Sequence, residues 1–146
     1  MTASNVYPRL FTVEEANRLL PTVRSLFDRV YQRIEVLRGR GQKVIRHREL
    51  DPDSPEFMDK LKEDETISRV IKELHELVQE INDLGCICKG VEQGLVDFPC
   101  LLGDEIVFLC WQYGEEKISY WHRAEDGFAG RKPLLDAASG EQKTYH

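Results

Sequence analysis

The sequence predicts an α+β fold, a long antiparallel helical hairpin followed by a small three-stranded antiparallel sheet. Three observations carry that expectation. Apolar residues recur at steps of three and four from Ala16 through Leu19, Leu20, Val23, Leu26, Phe27, Val30 and Ile34 to Leu37, the spacing of one helix face. A second stripe runs from Phe57 through Leu61, Ile67, Val70, Ile71, Leu74, Leu77, Val78 and Ile81 to Leu84. After Gly85 the period shortens, and "GLVDFP", "EIVFLCWQY" and "KISYWHR" are short runs rich in β-branched and aromatic residues, as strands are.

The first helix opens on Thr12-Val13-Glu14-Glu15, a capping box in which the threonine oxygen and the third-position glutamate each take an orphan amide. Pro21 removes a donor and crowds the turn before it. A short helix over 13–20 and a longer one from Pro21, or one kinked helix, is therefore expected, ending at Gly39 and Gly41. Ser54 as cap, Pro55 in the first turn and acidic Glu56 and Asp59 start the second helix. It spans nearly thirty residues and closes at Gly85. The joining segment "GRGQKVIRHRELDPDS" carries Arg40, Lys43, Arg46, His47 and Arg48. It reads as a solvated loop, with anion binding as the alternative.

Three strands follow, separated by "CLLGD" and by a turn at Gly114-Glu115. Gly127, Gly130 and Pro133 argue against regular structure beyond them, and the polar end "DAASGEQKTYH" has no core-forming pattern. The organisation expected is one domain over 1–146: a helical hairpin at 12–85, a small sheet with its glycine-rich loop at 86–133, and a flexible tail at 134–146.

With 41% hydrophobic and 32% charged residues the composition is that of a folded, soluble chain. A net charge of −6 disfavours nucleic acid as a partner, because phosphate binding needs a basic face. The start "MTASNVYPRLF" lacks the pattern of a leader, and no stretch has the apolar length of a membrane span. A cytoplasmic protein is expected, with Cys86, Cys88, Cys100 and Cys110 as reduced thiols. The C-x-C pair of Cys86 and Cys88 is a weak metal signal set against plain packing thiols.

A hairpin turning on Gly114 and Glu115 pairs Trp111 with Ile118, Leu109 with Tyr120 and Val107 with His122. The five-residue "CLLGD" connection sets Asp97 opposite Val107. Asp97, Glu105 and His122 then cluster, two carboxylates and an imidazole on rigid strands, a donor set for a divalent transition ion such as zinc, manganese or iron. The same register puts Cys110 on the face opposite His122 and leaves nucleophilic catalysis without support. Glu115 lies seven extended residues from His122, roughly 23 Å along a straight strand, too far to share one ion. Arg131 can clamp an anionic ligand or pair with an acid such as Asp97 or Glu125. The competing reading of all these groups is structural: a hydrogen-bonded histidine, a turn-fixing aspartate and an edge charge.

"FTVEEANRLLP", "GLVDFP", "LCWQYGEEKISYWH" and "GFAGRKPL", in that order and reaching to about Leu134, resemble the bacterial family catalogued as domain of unknown function 2203. The resemblance implies an N-terminal helical region and a small sheet in an uncharacterised cytosolic protein. Its recurrent polar positions correspond to Glu14, Glu15, Asn17, Asp97, Glu115, His122 and Arg131. Lys89-Gly90 departs from the lysine-aspartate pair of the family pattern, and Cys86, Cys88 and Cys100 fall outside it. The functional expectation is a divalent-metal-binding domain with hydrolytic potential. Its rival is a non-catalytic assembly protein, a homodimer formed through the long helices. Either way the small-molecule ligand stays unnamed.

Overall fold

The structure, a computed structural model, describes residues 7–134; the tail expected over 134–146 lies outside them apart from Leu134. Its elements are α1 (Val13–Arg48), α2 (Phe57–Lys62), α3 (Glu65–Asp83), β1 (Ile87–Gly90), β2 (Leu95–Leu102), β3 (Glu105–Gln112), β4 (Tyr120–Arg123) and β5 (Lys132–Pro133). The fold is α+β, and the chain divides into two compact units. No helix among the described residues is long and apolar enough to cross a membrane.

The helices are longer and differently broken than the sequence suggests. Thr12 and Glu15 form the expected capping box, Glu15 N–H to Thr12 Oγ1 at 3.0 Å and Thr12 N–H to Glu15 Oε1 at 2.8 Å. Pro21 does not divide α1, because it sits on the exposed face while Leu20, Val23 and Phe27 around it are buried. Gly39 and Gly41 are helical too. A mid-helix glycine costs only about 1 kcal/mol relative to alanine, and anchored neighbours outweigh that. One such anchor is Arg40, and another is the buried Val44. The first part of the supposed basic loop is therefore helix, ending at Arg48, with Glu49 at φ 51°.

In the unit formed by residues 28–79, Arg33 meets Glu73 at 3.1 Å and Arg40 meets Asp64 at 2.7 Å, so the helix segments run antiparallel as a hairpin requires. The single long second helix becomes two. Asp64 ends the first piece by accepting the Ile67 N–H at 3.1 Å, which caps α3, while both its oxygens face Arg40. Arg40 holds the Asp64 carboxyl below the usual aspartate range, through its hydrogen bond first of all.

The other unit contains the described residues 7–27 and 80–134. Its sheet has five strands rather than three, in the order β1-β2-β3-β4-β5, each antiparallel to its neighbour. The two additions are short edge strands, and Pro133 is tolerated because an edge residue need not donate. A single 3₁₀ turn at Phe128–Gly130 precedes β5. One face of the sheet, carrying Val96, Phe98, Leu109, Trp111 and Trp121, is buried. Against it Phe11 packs edge-on to Phe98 at 5.2 Å, and Phe27 lies 6.1 Å from Trp111. The Asn17 side chain of α1 accepts the Ile118 N–H at 2.8 Å, tying the helix start to the segment before β4.

Register decides what the opposite face holds. Leu102 pairs with Glu105 across a turn of Gly103 and Asp104, with Gly103 at φ 64°. That turn is shorter than the five-residue connection read from "CLLGD", and it sets Asp97 opposite Cys110 instead of Val107. Between β3 and β4 the tight hairpin at Gly114-Glu115 gives way to a longer loop, and Phe108, not Val107, pairs with His122. A one-residue slip moves every side chain to the other face.

Candidate metal centre

Asp97 in the middle of β2, Cys110 opposite it on β3, and His122 on β4 diagonal to Cys110 share the second face of the sheet. Their relative exposures are 3%, 1% and 3%. One ligating atom from each lies within 4.8 Å of the other two. Phe108 flanks the imidazole at 5.6 Å between ring centres, and Tyr7 stands edge-on to Phe108.

The hydrogen-bond geometry favours one histidine tautomer. His122 Nδ1 is 2.8 Å from the Arg123 carbonyl oxygen; a carbonyl only accepts, so Nδ1 carries the hydrogen. Nε2 then faces Asp97 Oδ1 at 3.1 Å, a contact that needs one further proton, shared between imidazole and carboxyl. Burial pushes the Asp97 carboxyl up, opposed by His122 and by the charge of Lys89. Cys110 is pushed up to about 12, by burial first and by Asp97 next. A thiol held that far above neutrality is a poor nucleophile. A divalent cation reverses the balance, because it favours the thiolate and the carboxylate together.

Arg131, from the glycine-rich loop, buttresses the cluster. Its Nη1 donates to Glu115 Oε1 at 3.2 Å and its Nη2 meets Oε2 at 2.9 Å. The guanidinium lies 4.0 Å from the Tyr120 ring centroid and 4.4 Å from that of Phe128, and it is close enough to Cys110 for the two groups to influence each other's protonation. Glu115 is itself pinned, its Oε1 accepting the Gln112 N–H at 2.7 Å and its carbonyl the Trp111 indole N–H at 2.9 Å. A cavity of about 180 Å³ opens above the cluster, lined by Lys89, Leu95, Asp97, Cys110, His122, Gly127 and Phe128.

Of the residues expected at a metal site, Asp97 and His122 come together and Glu105 does not. Glu105 stands at the exposed start of β3, on the face opposite His122, and accepts from Arg123 Nε at 3.1 Å. Cys110 takes the place assigned to Glu105. The Gly103-Asp104 dipeptide is a two-residue hairpin signal that, taken alone, pairs Asp97 with Cys110. Glu115 reaches the neighbourhood of the cluster through Arg131, because the segment 113–119 is loop and the straight-strand separation from His122 does not apply. Arg131 pairs with this acid rather than with Asp97 or Glu125.

No curated protein and no solved structure matches the chain. A family model described as an uncharacterized conserved protein, DUF2203, matches residues 9–134. That span takes in both helical stripes, the sheet, the Asp97–Cys110–His122 cluster and the Arg131 buttress, and the chain belongs to the DUF2203 family.

Proposed function

We propose that the domain binds one divalent transition ion through Asp97 Oδ, Cys110 Sγ and His122 Nε2, with zinc the best match to an oxygen, sulfur and nitrogen donor set. The observation that carries the reading is the convergence of three buried ligand types on one sheet face, at the floor of a cavity. Burying a titratable pair without a task is costly, since desolvation offsets most of the attraction. Metal–ligand bonds near 2.0–2.3 Å put tetrahedral donor atoms roughly 3.3–3.7 Å apart, so side-chain rotation closes the widest gap by about 1 Å. Phe108 and the Arg131 stack orient the donors, and the Arg123 carbonyl holds the histidine tautomer that leaves Nε2 for the ion. Three protein ligands leave a fourth position toward the cavity. An ion so placed supplies Lewis acidity for hydrolysis. Four free thiols suit a reducing compartment, the cytoplasm.

Cobalt titration tests the site. Wild type develops an intense near-ultraviolet sulfur-to-cobalt band together with the visible bands of a four-coordinate ion, and Cys110→Ala loses the former. A wild type whose spectrum does not change on adding cobalt overturns the proposal. A second reading, a homodimer formed through the helices, draws on the exposure of Val36, 43%. A sedimentation mass of one chain contradicts it.

A further inference from the structure

The cavity over the cluster has its own recognition chemistry. Lys89 lines it from β1, at the position where the pairing register shifts between Cys88 and Gly90. Such a bulge leaves one residue unpaired and re-aims its side chain. Among the described residues the ammonium of Lys89 has no ion-pair partner at salt-bridge distance, although Asp97 feels its charge. Leu95 and the half-exposed Phe128 ring form apolar walls. A volume of about 180 Å³ lies below the ~300–1,000 Å³ of sites for drug-sized ligands, and corresponds to about six waters at ~30 Å³ each.

Charge balance narrows the occupant. A divalent ion held by one carboxylate, one thiolate and a neutral imidazole is neutral overall, and Lys89 adds a single positive charge. We propose that the cavity binds a small monoanionic carboxylate with an apolar body, its oxygens shared between the ion and the Lys89 ammonium and its body against Leu95 and Phe128. This rests on the metal reading. A dianion such as a phosphate monoester overshoots the charge, and a neutral amide leaves the ammonium without its partner. The corresponding substrates are small esters or amides whose hydrolysis delivers such an acid.

The test uses full-length, zinc-loaded protein and two probes of one shape, benzoate and benzamide, titrated calorimetrically into wild type and Lys89→Met. Zinc content is measured on every sample. Lys89 is exposed, so its replacement leaves the fold and the ligands in place. Wild type is expected to prefer benzoate by about tenfold, the worth of one modest charge pair, and Lys89→Met to narrow that preference to within about threefold at unchanged zinc content. Zinc-loaded wild type that binds the two probes equally, or binds neither, overturns the ligand class alone, as does a preference that survives in Lys89→Met. Wild type that takes up no zinc overturns the metal reading and this inference with it.

Discussion

Zinc binding should expel protons in a number set by the three ligands. Cys110, pushed up to about 12, is a thiol at neutral pH and must lose its hydrogen to coordinate. With Nδ1 donating to the Arg123 carbonyl, the 3.1 Å approach of Nε2 to Oδ1 is satisfied by a second proton between the two groups. Coordination through Nε2 and the carboxylate displaces it. About two protons per ion should therefore appear in solution. The apparent affinity should rise about 100-fold per pH unit, about 2.7 kcal/mol at ~1.36 per decade. The assay is zinc titration of the metal-free protein at pH 7 under pH-stat, repeated calorimetrically in two buffers of different ionisation heat. Cys110→Ala, which keeps two ligands and binds only at zinc concentrations high enough to saturate a weakened site, should release about one proton per ion bound. Release that is the same with and without the thiol, or absent in wild type, refutes the ligand assignment.

Further predictions concern the frame around the site. Trp111→Phe removes the indole donor to the Glu115 carbonyl and should lower stability by ~1–3 kcal/mol, the cost of a part-buried acceptor left unpaired; the urea midpoint should fall at constant slope. Gly85, at φ 102°, would bring a Cβ to 2.9 Å from Arg9 Cβ, so Gly85→Ala should cost more than about 1 kcal/mol. Asp64 is depressed by Arg40. Its contribution is present above the ordinary aspartate value of ~3.9 and is lost as pH falls through its lower folded value. Asp64→Asn should erase that acid limb of the stability profile, and an unchanged limb counts against the capping role.

Much of the fold was legible because helix signals are local. The capping box at Thr12 and the two apolar stripes needed no knowledge of distant residues. Of the two readings of Pro21, the single helix holds, because buried neighbours on both sides carry it; where the reading failed, tertiary contacts overrode local chemistry, as when Asp64 cuts the second helix because Arg40 and the Ile67 N–H both claim its carboxylate. The edge strands β1 and β5 escaped notice because four and two residues hold no periodic pattern.

At the site, residue types were readable and pairing was not. Asp97 and His122 stood out as chemistry on strands, but their partner depended on two loop lengths, and misreading both turned Glu105 inward and Cys110 outward. The clamp between Glu115 and Arg131 was likewise invisible to distances measured along an extended strand.

Cys110 against Glu105 is consequently the sharpest division between two versions of a metal site. Zinc content should be measured by elemental analysis on untagged protein after zinc incubation and exhaustive dialysis, for wild type, Cys110→Ala, His122→Ala and Glu105→Ala. One equivalent in wild type and Glu105→Ala, with losses in the other two, is the predicted result. A metal-free wild type, or zinc retained by Cys110→Ala and lost by Glu105→Ala, contradicts it.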